Sequence, residues 1–399
     1  MKFFLFLLGI TFLIIIEIAR VYYIMPFPGS QETNTIEFAY LLSQYIVWFR
    51  LGGIILIGYP AYLLLTHTKS TIKWTAIMLL FFWLMVVYAF NFKFPADKMF
   101  YQPENKILVT AADNKVSDNS LVLGVVINGE AKAYPIEIIG YHHQVRDTVG
   151  GEQVMVTYCT VCRTGRVFKP EVDGQLETFR LVGMDHFNAM FEDSRTKSWW
   201  RQVNGEAIVG SKKGTVLPEI HSEQMTLLAW LNRHPKSLIL QPDVKFTDQY
   251  AGLDKYDEGK MEGSLESTDS LSWQSKSWVV GVSIGLDAKA YDWNNLKSMR
   301  VINDNLRRVP IVVVLQNDSA SFHVWNRVVG SDTLNFLYAD SLKAIIDTQT
   351  KSVWAWNGKC TNGVYKDSSL KSIQSYQEFW HSWKTFHPNT TQYLAENKE

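Results

Sequence analysis

Three apolar runs crowd into the first 92 residues: Phe3 to Met25, about Ala39 to Leu65, and Trp74 to Phe90. Each is long enough to cross a bilayer, and in hydrocarbon a backbone must satisfy its own hydrogen bonds, which a helix does. A cleaved signal peptide does not fit the first run. The run is too long, no small-x-small site follows it, and two more runs come after. Residues 1–92 are therefore expected to form a three-helix transmembrane anchor, with spans at about 3–25, 39–65 and 74–90.

Charge refines this picture. Lys2 precedes the first span, and Lys69 and Lys73 lie in the second loop, whereas the first loop carries Glu32 and Glu37 and no Lys or Arg. That bias puts the N-terminus in the cytoplasm and the soluble part outside. Arg50 falls inside the second span, where a lone charge is costly. Glu17 in the first span is its expected partner, with Arg20 nearer the interface. Over the whole chain, 39 basic residues balance 39 acidic ones, so no positive excess is available to offset nucleic-acid phosphates.

Beyond Phe92 the chain turns polar and strand-like, and it repeats itself. Gly124 to Tyr134 matches Gly281 to Tyr291 at an offset of 157, each ending in Ala-Lys-Ala-Tyr, and the register runs on through Asp147/Asp304 to Phe168/Trp325. Asp193-x-x-Thr-Lys-Ser-x-Trp200 then matches Asp347-x-x-Thr-Lys-Ser-x-Trp354, and Trp230-x-x-x-His-Pro235 matches Trp383-x-x-x-His-Pro388. Ordered matches of this kind indicate a tandem duplication.

The expected fold is therefore α+β and β-rich: the anchor, a first repeat over 100–242, a polar surface linker over 243–276, and a second repeat over 277–390. Each repeat should end in a short amphipathic helix, around Met225 to Arg233 and Tyr376 to Thr385. The second carries a capping-box pattern, Ser375-x-x-Glu378. Residues shared by both copies are expected to serve folding, and residues carried by one copy are free to do chemistry.

Cys159 and Cys162 belong to the second class, because the other copy has Gln316 and Ser319 at the matching positions. The pair sits in Tyr158-Cys-Thr-Val-Cys-Arg-Thr-Gly-Arg166, after a strand and before a turn into another. That is a hairpin-like knuckle rather than the helix N-terminus of a thioredoxin-like site. Haem attachment would need His where Arg163 stands.

Three readings follow. In the first, the pair does thiol–disulfide redox work, Arg163 and Arg166 favour the thiolate, and His186 or Asp185 moves protons. In the second, Cys159 and Cys162 bind Zn or Cu together with His142, His143 or His186, with Cys360 a further candidate ligand. In the third, the chain is a non-enzymatic interaction domain whose second, thiol-free copy binds a partner.

The ordered motifs resemble the bacterial family catalogued as domain of unknown function 3179. The resemblance rests on Ala131-Lys-Ala-Tyr-Pro135, Tyr158-Cys-x-x-Cys-Arg-Thr-Gly165, Asp185-His-Phe-Asn188, Thr196-x-Ser-Trp-Trp200, Gly205-Glu-Ala-Ile-x-Gly210 and Trp230-x-x-x-His-Pro235, and spans roughly Tyr101 to Pro388. It implies no substrate. Selenocysteine in the Cys-x-x-Cys region of some members favours redox use of the pair. Together these readings point to an integral protein of the bacterial inner membrane whose extracytoplasmic part meets a protein or small-molecule thiol partner.

Overall fold

The computed structural model describes residues 1–395, and the chain divides into two compact units. The first comprises Met1–Tyr101 and Gln175–Val216; the second takes in Gln102–Gly174 and the described chain from Leu217 onward.

Helices α1 (Lys2–Tyr22), α2 (Ile36–Thr66) and α3 (Ser70–Phe92) form where the three apolar runs lie, and all three are long and apolar enough to cross a membrane. Phe6, Ile10 and Leu13 of α1 pack with Ile57 and Leu64 of α2 and Ala76 of α3. Glycines bring α1 and α2 close: a Cβ on Gly9 would lie 2.3 Å from Ile57 Cγ2, and one on Gly53 2.4 Å from Leu13 Cδ2. Large apolar side chains such as Leu8, Trp48, Ile55 and Phe81 point outward, as lipid contact requires.

Among these helices, Arg50 Nε and Nη2 donate to the two oxygens of fully buried Glu17, at 2.5 and 2.8 Å. Arg50 is the partner that the charge pattern called for. Asn91 completes the cluster, donating to Glu17 at 3.1 Å and accepting from Arg20 at 2.7 Å and Arg50 at 2.8 Å.

The first unit also holds an antiparallel sheet of strands Phe179–Asp185, Asn188–Asp193, Trp199–Arg201 and Ala207–Val209. Its first strand is stitched to the chain just beyond α1, where Met184 N donates to Ile24 O at 2.6 Å. Gly183 makes that approach feasible, since a Cβ there would lie 2.1 Å from Ile24 O. Tyr40 of α2 meets Trp199 edge-on. Asp193 staples the following turn by accepting from Thr196 Oγ1 (2.5 Å), Ser198 N (3.1 Å) and Trp200 Nε1 (3.0 Å).

The second unit contains two halves with the same order of elements. In the first half, β1 (Leu121–Ile127) pairs with β2 (Glu130–Pro135), α4 (Ile136–His142) follows, and β3 (Gln144–Val149), β4 (Glu152–Cys159) and β5 (Thr164–Phe168) make a meander. Strand β6 (Ser222–Thr226) returns beside β1, α5 (Leu227–Arg233) follows it, and β7 (Leu238–Leu240) runs parallel to β2.

In the second half, β8 (Trp278–Ile284), β9 (Asp287–Asp292), α6 (Trp293–Met299), β10 (Val301–Leu306), β11 (Val309–Leu315) and β12 (Phe322–Asn326) come in that order. Strand β13 (Ser375–Phe379) then returns beside β8, followed by α7 (Trp380–Phe386) and by β14 (Thr391–Gln392), parallel to β9.

Shared residues occupy equivalent places. Gly124 and Gly281 each leave room for an indole, since a Cβ on either would lie 2.2 Å from Trp230 or Trp383 respectively. Tyr134 donates to Asp147, and Tyr291 to Asp304, both at 2.8 Å. Asp347 staples its turn through Thr350, Ser352 and Trp354 as Asp193 does.

Three local expectations are corrected. The helices begin later than predicted, at Leu227 and Trp380, because the preceding residues belong to β6 and β13. The capping box does not form: Ser375 and Glu378 both lie on β13, and Phe379 at the N-cap makes no side-chain bond. Segment 243–276 is more than a surface linker, since Phe246, Tyr250 and Tyr256 are buried in the core.

The halves meet through their returning strands. Gln224 Nε2 of β6 donates to Gln377 Oε1 of β13 at 3.0 Å. Each return strand reaches the other half's hairpin tip: Thr226 N donates to Ser321 Oγ at 3.0 Å, and Phe379 N to Cys162 O at 2.9 Å.

Removing one member of a buried ion pair leaves its partner's charge uncompensated. Glu17→Gln and Arg50→Gln are each expected to lower stability in detergent by about 3 kcal/mol, and the double variant should recover at least half of that loss. Thermal unfolding of the purified full chain measures both.

Candidate functional site

Strands β4 and β5 pair up to Cys159 and Thr164, leaving Thr160 to Arg163 as a tight four-residue tip in which Arg163 takes φ 54°. This is the predicted knuckle. Cys159 and Cys162 stand as thiols, both fully buried and hydrogen-bonded to each other. Every carbonyl from Thr160 to Cys162 accepts a bond from outside the hairpin. Tyr256 Oη donates to Thr160 O (2.8 Å), Lys276 Nζ to Val161 O (3.1 Å), His381 Nε2 to Val161 O (3.1 Å), and Phe379 N to Cys162 O (2.9 Å). The tip is held from three directions.

The second half closes over the sulfurs. Ser382, in the first turn of α7, hydrogen-bonds Cys162 and donates to Glu378 Oε2 at 3.0 Å. Glu378 Oε1 in turn accepts from Arg166 Nη2 at 2.5 Å and from Thr164 Oγ1 at 2.9 Å. Arg166 lies over the ring of Tyr376, 3.2 Å from its centroid. Arg163 bonds Gln377 Oε1 and the carbonyls of Tyr256 and Asp257, and covers Trp278 at 3.7 Å.

This arrangement corrects the expected role of the arginines. Burial pushes the Cys162 thiol well above its ordinary value, and the neighbouring Cys159 and the charge of Glu378 add to the rise, against the pull of Ser382. Arg166 is already matched to Glu378 and Arg163 is occupied by amide and carbonyl oxygens, so neither stabilises a standing thiolate. For Arg166, burial works against the charge, but Glu378, Tyr376 and Glu219 outweigh it and hold the guanidinium protonated. His381 is lowered to about 4 by burial and by Lys276, so its ring is neutral at pH 7. Burial also lowers Lys276, though both cysteines counteract this.

Glu378, Ser382, His381 and Lys276 join the candidate site around the knuckle, and sequence reasoning missed them. A usable signal existed. At the offset of 153 that relates Trp230 to Trp383, Glu378 matches Met225, His381 matches Leu228 and Ser382 matches Ala229. Polar residues found in only one of two matching segments point to the candidate site from the second half as well as from the first.

The other candidates are engaged elsewhere. His142 Nε2 meets Tyr250 Oη at 2.6 Å. His143 Nδ1 meets Tyr141 O at 3.1 Å, and burial lowers this histidine to about 4. Cys360 is buried in the second half's core and donates to Asn362 O at 3.4 Å. Asp185 and His186 belong to the first unit, where Asp185 accepts from His186 Nδ1 (2.7 Å) and Arg201 Nε (2.5 Å). Among the described residues, no group of three or more His, Cys, Asp and Glu side chains could hold a metal ion.

With this geometry in hand, a model of the family described as protein of unknown function (DUF3179) matches residues 101–390. No curated protein and no solved structure matches the chain.

Asp257 beside Arg163 supplies a test of the site's electrostatics. Burial pushes its carboxyl up to about 6, against the bond from Leu121 N and the charge of Arg163. A carboxyl raised on folding stabilises the folded state fully below its unfolded value near 4, and that contribution is lost as pH rises through about 6. Asp257→Asn is therefore expected to remove about 2 kcal/mol of pH dependence between pH 4.5 and 8. Unfolding of both proteins across that range would show parallel profiles if Asp257 were an ordinary carboxylate.

Proposed function

We propose that this chain, which belongs to the DUF3179 family, is a membrane-anchored, extracytoplasmic thiol–disulfide protein. Cys159 and Cys162 form its redox couple, and the second half supplies the proton acceptor. The observation that carries this reading is the hydrogen-bonded path from Cys162 through Ser382 to Glu378. An inert pair of buried cysteines needs no such path. A thiol held protonated by burial needs one in order to react.

The chemistry follows from the order of donors. As Cys162 attacks one sulfur of a partner disulfide, its proton passes to Ser382 Oγ while the Ser382 proton passes to Glu378. The first partner sulfur leaves and takes the proton held on Glu378. Cys159 then attacks the Cys162 sulfur in the mixed disulfide and closes the 159–162 bond. The second partner sulfur leaves with the proton that Cys159 gives up. Two protein thiols are oxidised and one partner disulfide is reduced to two thiols.

Full burial of both sulfurs means that exchange requires α7 to part from the knuckle, so the second half acts as both lid and base. In this reading the two halves arose by tandem duplication, and the anchor holds them outside the cytoplasm in the sense set by Lys2, Lys69 and Lys73.

The full chain in detergent, equilibrated in thiol–disulfide buffers, should interconvert reversibly between two alkylatable thiols and a 159–162 disulfide located by mass spectrometry. Cysteines that react only after global unfolding at every buffer ratio would refute the reading. Ser382→Ala, which leaves the Arg166–Glu378 pair in place, should slow the reaction at pH 7 at least about tenfold and steepen its rise with pH.

A further inference from the structure

The first unit contains a cavity of about 390 Å³ that the thiol chemistry does not use, lined by Asn34, Ile36 and Glu37 on one side and by Asp185, Arg201, Glu206, Ile208, Lys213 and Gly214 on the other. Its size falls within the range of small-molecule sites. Its place is distinctive: Asn34 to Glu37 open α2, directly after the turn that follows α1, so the cavity lies where the first two apolar helices leave the bilayer.

The walls are built for charge of both signs. Arg201 bonds Asp185 at 2.5 Å and Glu206 at 3.2 Å, and Lys213 bonds Glu37 at 2.5 Å. Three carboxylates against two cations leave one negative charge in excess. Stability does not account for all of them: the side chains of Lys213 and Glu37 are 60% and 75% exposed, and pairs that open contribute little to folding.

Asp185, by contrast, is almost fully buried and tightly fixed. Burial opposes its ionisation, but the bond from His186 and the charge of Arg201 outweigh that and hold the carboxyl below its ordinary value. The turn that carries it is strained. His186 and Phe187 take φ 49° and 66°, a left-handed pair that such a two-residue hairpin usually fills with Asn-Gly. Gln31 accepts from Phe187 N and Asn188 accepts from Val203 N, which maintains the turn. Those bonds hold the turn, and Asp185 with it, in one geometry.

We propose that this cavity binds the phosphoethanolamine headgroup of a membrane phospholipid. The ammonium would be held by the carboxylates of Glu37 and Glu206, and the phosphate would face Lys213 and Arg201. The excess carboxylate selects for a cation, the two basic groups accommodate the phosphate, and the position at the start of α2 leaves the acyl chains in the bilayer. A primary ammonium is preferred over a quaternary one because carboxylates accept its N–H bonds. The inference rests on the membrane placement in the reading above and is independent of the thiols.

Native mass spectrometry of the full chain in detergent micelles, with phosphatidylethanolamine, phosphatidylcholine or phosphatidylglycerol of identical acyl chains, tests it. Topology and redox state do not enter the measurement. Phosphatidylethanolamine should be retained about tenfold better than either of the others. The double variant Glu37→Gln, Glu206→Gln turns the lining from one negative charge to one positive, and should lose this preference and gain one for phosphatidylglycerol. Equal retention of the ethanolamine and choline lipids, a wild-type preference for phosphatidylglycerol, or an unchanged preference in the variant would each overturn the proposal. Unchanged thermal unfolding of the variant confirms that the comparison is made on folded protein.

Discussion

Arg166 and Glu378 meet at 2.5 Å with neither side chain reaching water, and the thiol site is organised around that contact. Two charges taken out of solvent are costly unless their remaining hydrogen-bonding capacity is met. Here it is: Glu378 also accepts from Thr164 and Ser382, and Arg166 stacks on Tyr376. Since Arg166 comes from the first half and Glu378 from the second, the requirement to keep the pair intact fixes how β13 and α7 lie over the knuckle. Ser382 is thereby brought to Cys162, and Phe379 N to the Cys162 carbonyl.

The equivalent place in the second half shows what the pair adds. His323 stands where the first half has Arg166, and Gln316 stands where it has Cys159; their side chains bond at 2.6 Å. His323 is buried and lowered to about 4 by desolvation, so it is neutral at pH 7. The neighbouring Glu223 has its own cation in Arg233. The same junction of hairpin tip and return strand therefore exists in a form without the thiols and without an ion pair between the halves. The shared elements build the junction, and the charged version encloses the two thiols.

In the first unit a related constraint operates in an apolar setting. Glu17 is held by Arg50 and Asn91, and the helices that bring them together also receive the strand Phe179–Asp185 at Ile24. A sheet segment that follows the knuckle hairpin in sequence thus folds with the helices. Its tip, Asp185 to Asn188, is held to the turn between α1 and α2 by the bond from Phe187 N to Gln31 Oε1.

Much of this was legible in the residues. The three helices follow from apolar length, the pairing of Glu17 with Arg50 from the cost of a lone charge, and the knuckle from the strand before Cys159 and the turn after Cys162. The like registers of β1–β2 and β8–β9 follow the matching residues of Gly124 to Tyr134 and Gly281 to Tyr291. All of these depend on neighbours close in sequence or on the regular period of an element, so the pattern of side chains carries them. Tertiary structure alone decided that Glu378 and Ser382 face Cys162, that Tyr256 and Lys276 brace the tip from the supposed linker, and that Asp185 and His186 fold with the helices. The capping-box reading of Glu378 failed for the same reason. A carboxylate three residues after a serine looks like a local cap, whereas this one is held by an arginine 212 residues away. Which faces dock is set by complementarity between finished surfaces, and no short-range pattern records it.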